Sequence, residues 1–512
     1  MSISTTCEAP EAGRTQDRPA EAGRQLKDLA RRGYWVPPGL LTLLVCLYRI
    51  TRTGLWRDEL ATWSAIDRSP GQLYALLHHI DAVSGAYYFL LRGWVALVGS
   101  SVLLLRLPSA MAMAGSAVLV ALIGRQVFDR RIGLTAGLLF TVIPSVSRYG
   151  QEARSYAFAV LAVAAASWAL LRALERPRID LRGAGWWGLY AGSVGCAGLF
   201  HLVSLAVLAG HAGIVGHRWW RVRARGPVAG FLLSVPLGLL PLLPLAWIGM
   251  HQQGQQLGWL DAPSVQYVGD AFWPGLFGSS WTSITVMALA VLPLAWPRGR
   301  RRTLDLYLLA LLPVGLVWLV SQGGSHYFLD RYLLFTLPFW VLLAASALAG
   351  LRPRAVGLVG LVAVVLLAGP QQIQLRKPDA RERFDAARAA AVLAADYRPG
   401  DGLAVPRGPY HWFFQVDTAL RFYLPPQVAP TDVFRAKSAV QQQGLYSAAC
   451  SQDRTLACLA AVAPPRIWVV TVADRNDPFA GLSDTEKAAL TSQYRVRSVT
   501  EVPGMVLTLM ER

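Results

Sequence analysis

From residue 35 to residue 369 the chain alternates apolar stretches of near-bilayer length with short clusters of arginine. A crossing helix needs about 20 consecutive apolar residues. Backbone groups in lipid must be satisfied within the chain, so helices or closed barrels are the available solutions. Spans are predicted at 35–52, 105–125, 131–148, 153–174, 186–200, 201–216, 227–249, 281–296, 304–320, 331–349 and 355–369, eleven in all. The clusters Arg125/Arg130/Arg131, Arg172/Arg176/Arg178/Arg182, Arg218/Arg221/Arg223/Arg225, Arg298/Arg300/Arg301/Arg302 and Arg352/Arg354 then share a side with Arg31 and Arg32. That agreement with the positive-inside rule holds only if the apolar piece 84–98 stays at the interface instead of crossing. The N-terminal tail, 1–33, is therefore expected in the cytoplasm, spans over 34–370 in the plasma membrane, and 371–512 outside.

Composition excludes other classes. Charged residues make up 16% and hydrophobic ones 54% of the 512 residues, where a soluble chain carries about 25% charged. The net charge of +18 and pI near 10.1 raise nucleic acid as a partner. No zinc-finger spacing or basic helix with interleaved aromatics accompanies them, so the charge is assigned to the membrane edge and nucleic acid is excluded.

Residues 371–512 have a different texture. ERFDAARAAAVLAADYR reads as an amphipathic helix, and GDGLAVPRG, RIWVVTVAD and VRSVTEVPGMVLTLME as short strands. The expectation is a small extracytoplasmic α/β domain with no Gly-rich phosphate loop. Cys450 and Cys458 lie in it, and would pair in an oxidising compartment or stay as free thiols; both readings stand. The expected fold class is thus a polytopic α-helical membrane protein, with interfacial helices in its first outer loop, plus this domain.

The chemistry-bearing residues fall on the outer side. LWRDELATW puts Asp58 and Glu59 just past the first span, with Trp56, Leu60 and Trp63 as an apolar stripe suited to a helix resting on the membrane. Such carboxylates can take a proton from an acceptor hydroxyl or hold a divalent cation against a phosphate; they can also be a merely solvated face. HHIDAVSGAYYF offers His78, His79 and Asp81, followed by Tyr87 and Tyr88, and reads as an acid–base or metal cluster or as a polar turn with an aromatic belt. SRYGQEARSYAF crowds Arg148, Gln151, Glu152, Arg154 and Tyr156 into one outer turn, with Glu152 and Tyr156 at i, i+4. SHYFLDRYLLF places His326, Asp330, Arg331 and Tyr332 at the mouth of a late span, for a lipid phosphate or for snorkelling to the interface. The stretch 250–280 adds Gln252, Gln253, Gln255, Gln256, Trp259, Asp261 and Trp273, residues fit to bond and stack sugars or to form an ordinary polar loop.

In order, LWRDELATW, DAVSGAYYFLLRGW with LRLPSA, SRYGQEARSYAF and DRYLLFTLP resemble membrane glycosyltransferases of the C-type fold, which include protein-O-mannosyltransferases and aminoarabinose-transferase-like bacterial enzymes. The resemblance covers about residues 35–350 and rests on the order and spacing of the pieces. It implies an inverting transfer of a sugar from a polyprenyl-phosphate carrier to an envelope glycan, lipid or protein. The catalytic expectation falls on Asp58 and Glu59, which are also the ligands if a divalent ion is used. Donor and phosphate contacts are expected from Arg154, Arg331, Tyr332, Tyr87 and Tyr88, with Asp81, Gln151, Glu152, Tyr156 and His326 supporting substrate. Val83, Ser84 and Gly85 stand where many relatives have His-Pro-Pro, a departure in that turn. The Arg-, Ala- and Gly-rich composition looks actinobacterial, which makes decaprenyl-phosphate-linked mannose or arabinose the expected donors. Competing expectations are a transporter or flippase of lipid-linked glycans, disfavoured by the scarcity of acidic residues within spans, and a non-catalytic polysaccharide-binding membrane protein.

Overall fold

The computed structural model describes residues 33–176, 181–295, 297–351, 353–382, 384–407, 414–472 and 477–512. The expected cytoplasmic tail, apart from Gly33, and the side chains of Arg178, Arg182, Arg298, Arg300, Arg301, Arg302, Arg352 and Arg354 lie outside the described residues.

The membrane part is helical because its apolar stretches leave the backbone no partner but itself. Among the described residues six helices are long and apolar enough to cross: Val102–Val127, Tyr156–Leu174, Arg225–Leu257, Thr303–Val320, Asp330–Gly350 and Ala355–Gln374. Two bent pairs, Arg130–Val142 with Pro144–Gly150 (65°) and Val265–Phe277 with Ser280–Ala295 (92°), raise the number to eight if each is one span. The eleven-span expectation exceeds this range because Val36–Leu47, Leu181–Phe200 and Val207–Val222 are helical without meeting that measure of length and composition. The helix Gly85–Val98 has 14 residues, short of the roughly 20 needed to cross. Close helix approach comes from small residues: a Cβ on Gly133 would collide with the Ala121 carbonyl oxygen.

Three local readings are corrected by the structure. Trp56, Leu60 and Trp63 do not lie on lipid; they are 6%, 0% and 8% exposed. The helix Arg57–Ile66 shares an apolar core with Phe384, Ala389, Leu403 and Trp468 of the C-terminal part. A stripe records only that one face avoids water, and here protein covers it. Glu152 and Tyr156 do not share a helix: Pro144–Gly150 ends, a turn follows, and the next helix begins at Tyr156. The glutamines after His251 are not in a loop, since the helix Leu243–Leu257 carries them past the end of the apolar stretch.

After Gln374 the chain builds an α/β unit. Its five-stranded sheet has the order β2-β1-β5-β7-β6, with β1 Gly402–Ala404, β2 Thr431–Asp432, β5 Arg466–Thr471, β6 Arg495–Val502 and β7 Met505–Glu511. β1 is parallel to both β2 and β5, while β7 is antiparallel to β5 and β6. The hairpin β6–β7 turns at Gly504, whose φ of 69° suits glycine. β3 Arg435–Lys437 and β4 Ala448–Ala449 form a separate ribbon. Cys450 and Cys458 are disulfide-bonded beside it, which decides between the two readings left by the sequence.

Candidate active site

The site is built on the turn that follows the first helix. Arg106, wholly buried in the helix Val102–Val127, reaches back to that turn. Its Nη1 donates to the carbonyls of Ile50 (2.7 Å) and Thr53 (3.0 Å), and its Nη2 to that of Gly54 (2.9 Å). The same guanidinium grips Glu59 with two bonds, Nε to Oε1 at 2.8 Å and Nη2 to Oε2 at 2.6 Å. Glu59 Oε1 also accepts from the Ala153 amide at 2.9 Å, and Oε2 from Arg381 Nη1 at 3.2 Å. Burial alone would raise the Glu59 carboxyl, but Arg106 and Arg381 with these hydrogen bonds hold it below the ordinary carboxylate range.

Asp58 is the neighbour on the first helical turn and is half-buried. Among the described residues no side chain makes a hydrogen bond or ion pair with its carboxylate. Its charge is felt by Arg154, Arg331, Tyr156, Tyr332, Asp81 and Glu152. The expected outer motifs therefore meet around one free carboxylate. The pair is split in role: Glu59 is saturated by guanidinium groups and Asp58 is open. That split does not suit a two-carboxylate metal site, and the described residues hold no group of three His, Cys, Asp or Glu placed for a metal.

On one flank, Asp81 accepts from Ser84 Oγ at 2.8 Å, from Gln256 Nε2 at 3.3 Å and from Tyr88 OH. Burial pushes its carboxyl up, against the pull of Arg154. Arg154 Nη1 lies 3.4 Å from both Tyr88 OH and Thr62 Oγ1. On the other flank is an aromatic nest: the ring centroids of His201 and Tyr332 are 4.8 Å apart, of Tyr156 and His201 5.7 Å, and of Tyr156 and Tyr332 6.3 Å. The Arg331 guanidinium sits 5.8 Å from the Trp259 ring. Several buried polar atoms there lack a hydrogen-bond partner: Arg331 Nε, Arg148 Nε, His201 Nδ1 and both oxygens of Glu152. The Glu152 carboxyl is pushed up by burial, partly offset by Arg381 at 3.8 Å and by Arg148.

The side chains of other expected residues are engaged elsewhere. Gln151 Nε2 staples the carbonyls of Cys46 (2.7 Å) and Tyr48 (2.9 Å). His326 Nδ1 is engaged with the Leu260 carbonyl at 2.8 Å. Tyr87 is buried against Phe158, with ring centroids 5.7 Å apart, and sits in the core. Sequence reasoning missed Arg106, His201 and Arg381. Arg106 stood inside LRLPSA, where an arginine within an apolar run was itself a signal. Arg381 gave none, because it acts 322 residues from Glu59.

The fold defines the class: this is a polytopic helical membrane protein with the fold of the solved ArnT structures. Residues 85–242 match the family model described as dolichyl-phosphate-mannose-protein mannosyltransferase. The chain is similar in structure to ArnT from Cupriavidus metallidurans bound to undecaprenyl phosphate, with TM-score 0.60 and 14% identity over 93% of this chain and 98% of that one. The same protein in the apo state gives 0.62 and 14% over 94% and 98%. The archaeal oligosaccharyltransferase AglB from Archaeoglobus fulgidus, in complex with an inhibitory peptide and a dolichol-phosphate, gives 0.48 and 11% over 86% and 70%. No curated protein matches the chain in sequence.

Proposed function

We propose that this protein is an inverting glycosyltransferase that takes a sugar from a polyprenyl-phosphate donor at the outer face of the plasma membrane. The observation that carries this reading is the half-buried Asp58 carboxylate, unpaired among the described residues and within electrostatic reach of Arg154 and Arg331. A carboxylate left open beside two arginines is poised to take a proton, while the arginines are poised to hold a phosphate. Buried donors without acceptors are costly, and those on Arg148 and Arg331 support a site made for ligand oxygens. The likeness to ArnT, whose crystal structure holds undecaprenyl phosphate, and the mannosyltransferase family model support a lipid-phosphate donor.

In the proposed step Asp58 removes the proton of an acceptor hydroxyl. The oxygen attacks the anomeric carbon from the face opposite the phosphate, forming the new glycosidic bond as the carbon–oxygen bond to phosphate breaks. The electron pair leaves with polyprenyl phosphate, whose charge Arg154 and Arg331 stabilise. The proton on Asp58 returns to solvent. Asp81 orients Arg154 through Tyr88, and Glu59 fixes the helix that presents Asp58. Mannose or arabinose remains the proposed sugar, with an envelope glycan, lipid or protein as acceptor. The test is transfer from a labelled lipid-phosphate sugar by purified Asp58→Asn, for which a loss of about 10²–10⁴-fold in kcat is expected; wild-type turnover would overturn the assignment of the base.

A further inference from the structure

The C-terminal unit carries a cavity of about 280 Å³ that belongs to no residue of the site above. It lies on the β1–β2 side of the sheet, where the two strands run parallel. Leu403 of β1, Asp432 of β2 and Thr418 of the helix Val416–Tyr423 line it, and Ser438 and Ser447 close its side. The remaining wall includes Ser64 of the helix Arg57–Ile66, which also carries Asp58. Six residues along a helix correspond to about 9 Å of axial rise, so one helix carries both the proposed base and part of the cavity wall. Tyr446, next to Ser447 in the chain, lies within electrostatic reach of Asp58, Asp81 and Arg154. Its loop is held down by Arg68, which donates to the Gly444 carbonyl.

The chemistry of the walls selects the ligand. Arg407 bridges Asp417 at 3.2 Å and Asp432, so one guanidinium serves two carboxylates and this wall stays acidic. Arg421 is paired with Asp67 at 3.6 Å and lies over the Trp63 ring. No free buried cation is then left among the described lining residues to receive a phosphate, and Arg435 at the rim is exposed. What remains in the lining is carboxylate and hydroxyl oxygen together with the apolar Leu424, Pro425 and Pro426. Sugar hydroxyls bond to the first and sugar C–H faces pack on the second. We propose that this cavity is the subsite for a neutral, polyhydroxylated acceptor, a glycan whose end is presented to Asp58.

The inference rests on the transfer reaction proposed above, and its test separates the two. Full-length protein in nanodiscs is titrated with short neutral oligosaccharides of mannose, arabinose and glucose, and binding is read by saturation-transfer difference NMR. At least one is expected to bind the wild type. Ala439→Trp, which puts a large ring into the lining, is expected to weaken it by about tenfold or more, and the isosteric Thr418→Val by roughly threefold to tenfold. Thr418→Val decides if the larger substitution prevents folding. Absence of binding to the wild type, unchanged affinity in the variants, or binding of inorganic phosphate in place of sugar would each overturn the proposal. Asp58→Asn is expected to keep the oligosaccharide while losing transfer. If it binds and also turns over normally, the base assignment falls and the cavity assignment is supported.

Discussion

Asp58 and Glu59 are adjacent, chemically alike and indistinguishable in sequence, yet they meet opposite environments. Glu59 is enclosed by Arg106 and Arg381, with neither oxygen free. Removing one partner of a buried pair typically costs about 3–5 kcal/mol. Glu59→Gln and Arg106→Ala are therefore expected to lower the unfolding free energy by that order, seen as a lower midpoint in thermal denaturation in detergent. The sign with pH follows from the depressed Glu59 carboxyl: its stabilisation is present above the ordinary carboxylate pKa and lost as pH falls through the lower native value. The raised Glu152 carboxyl acts in the opposite sense, since its burial costs stability as pH rises above the ordinary value. Glu59→Gln should flatten the acid limb of a stability–pH curve, and Glu152→Gln the limb just above it. A curve unchanged by either substitution would show that neither carboxyl titrates as assigned.

At the scale of elements, the segment after the last membrane helix acts as a tie. Arg376 Nη2 donates to the Val45 carbonyl at 2.8 Å, and Arg381 joins Glu59 to the carbonyls of Arg148 and Gln151. Arg381→Ala is expected to loosen the Asp58 helix and to lower kcat by at least about tenfold, because a small misplacement at a reacting centre is costly, while lipid-phosphate binding through Arg154 and Arg331 persists. Equal losses in kcat and donor affinity would argue against a positioning role. The disulfide Cys450–Cys458 closes a short loop beside the ribbon. Its removal as a double serine variant is expected to cost about 2–3 kcal/mol, read as earlier proteolysis of the C-terminal unit.

For the whole molecule, the proposed orientation puts the arginine clusters in the cytoplasm and the Asp58 turn outside. With Cys7 and Cys196 replaced, a cysteine at exposed Gln255 should react with an impermeant maleimide in intact cells, and one at exposed Val222 only after lysis. The reverse pattern would invert the topology and remove the basis for an outer-face reaction.

Helicity of the membrane part and the existence of a mixed α/β unit were legible, because hydropathy and strand alternation are local properties that lipid or core must honour. The outer motifs were legible as polar groups too costly to be casual at span ends. Which partner each would meet was not. Trp63 reads the same against lipid as against Phe422, its actual neighbour at 5.1 Å. Arg381 shows no pattern near itself, since its partners are far away in the chain. The order of residues determined a membrane chain with acids and arginines at the ends of its apolar stretches. Only folding decided that Glu59 is sealed by guanidinium while Asp58 is left open, because the screening of a charge depends on what packs around it in space, and that environment is assembled from distant parts of the chain.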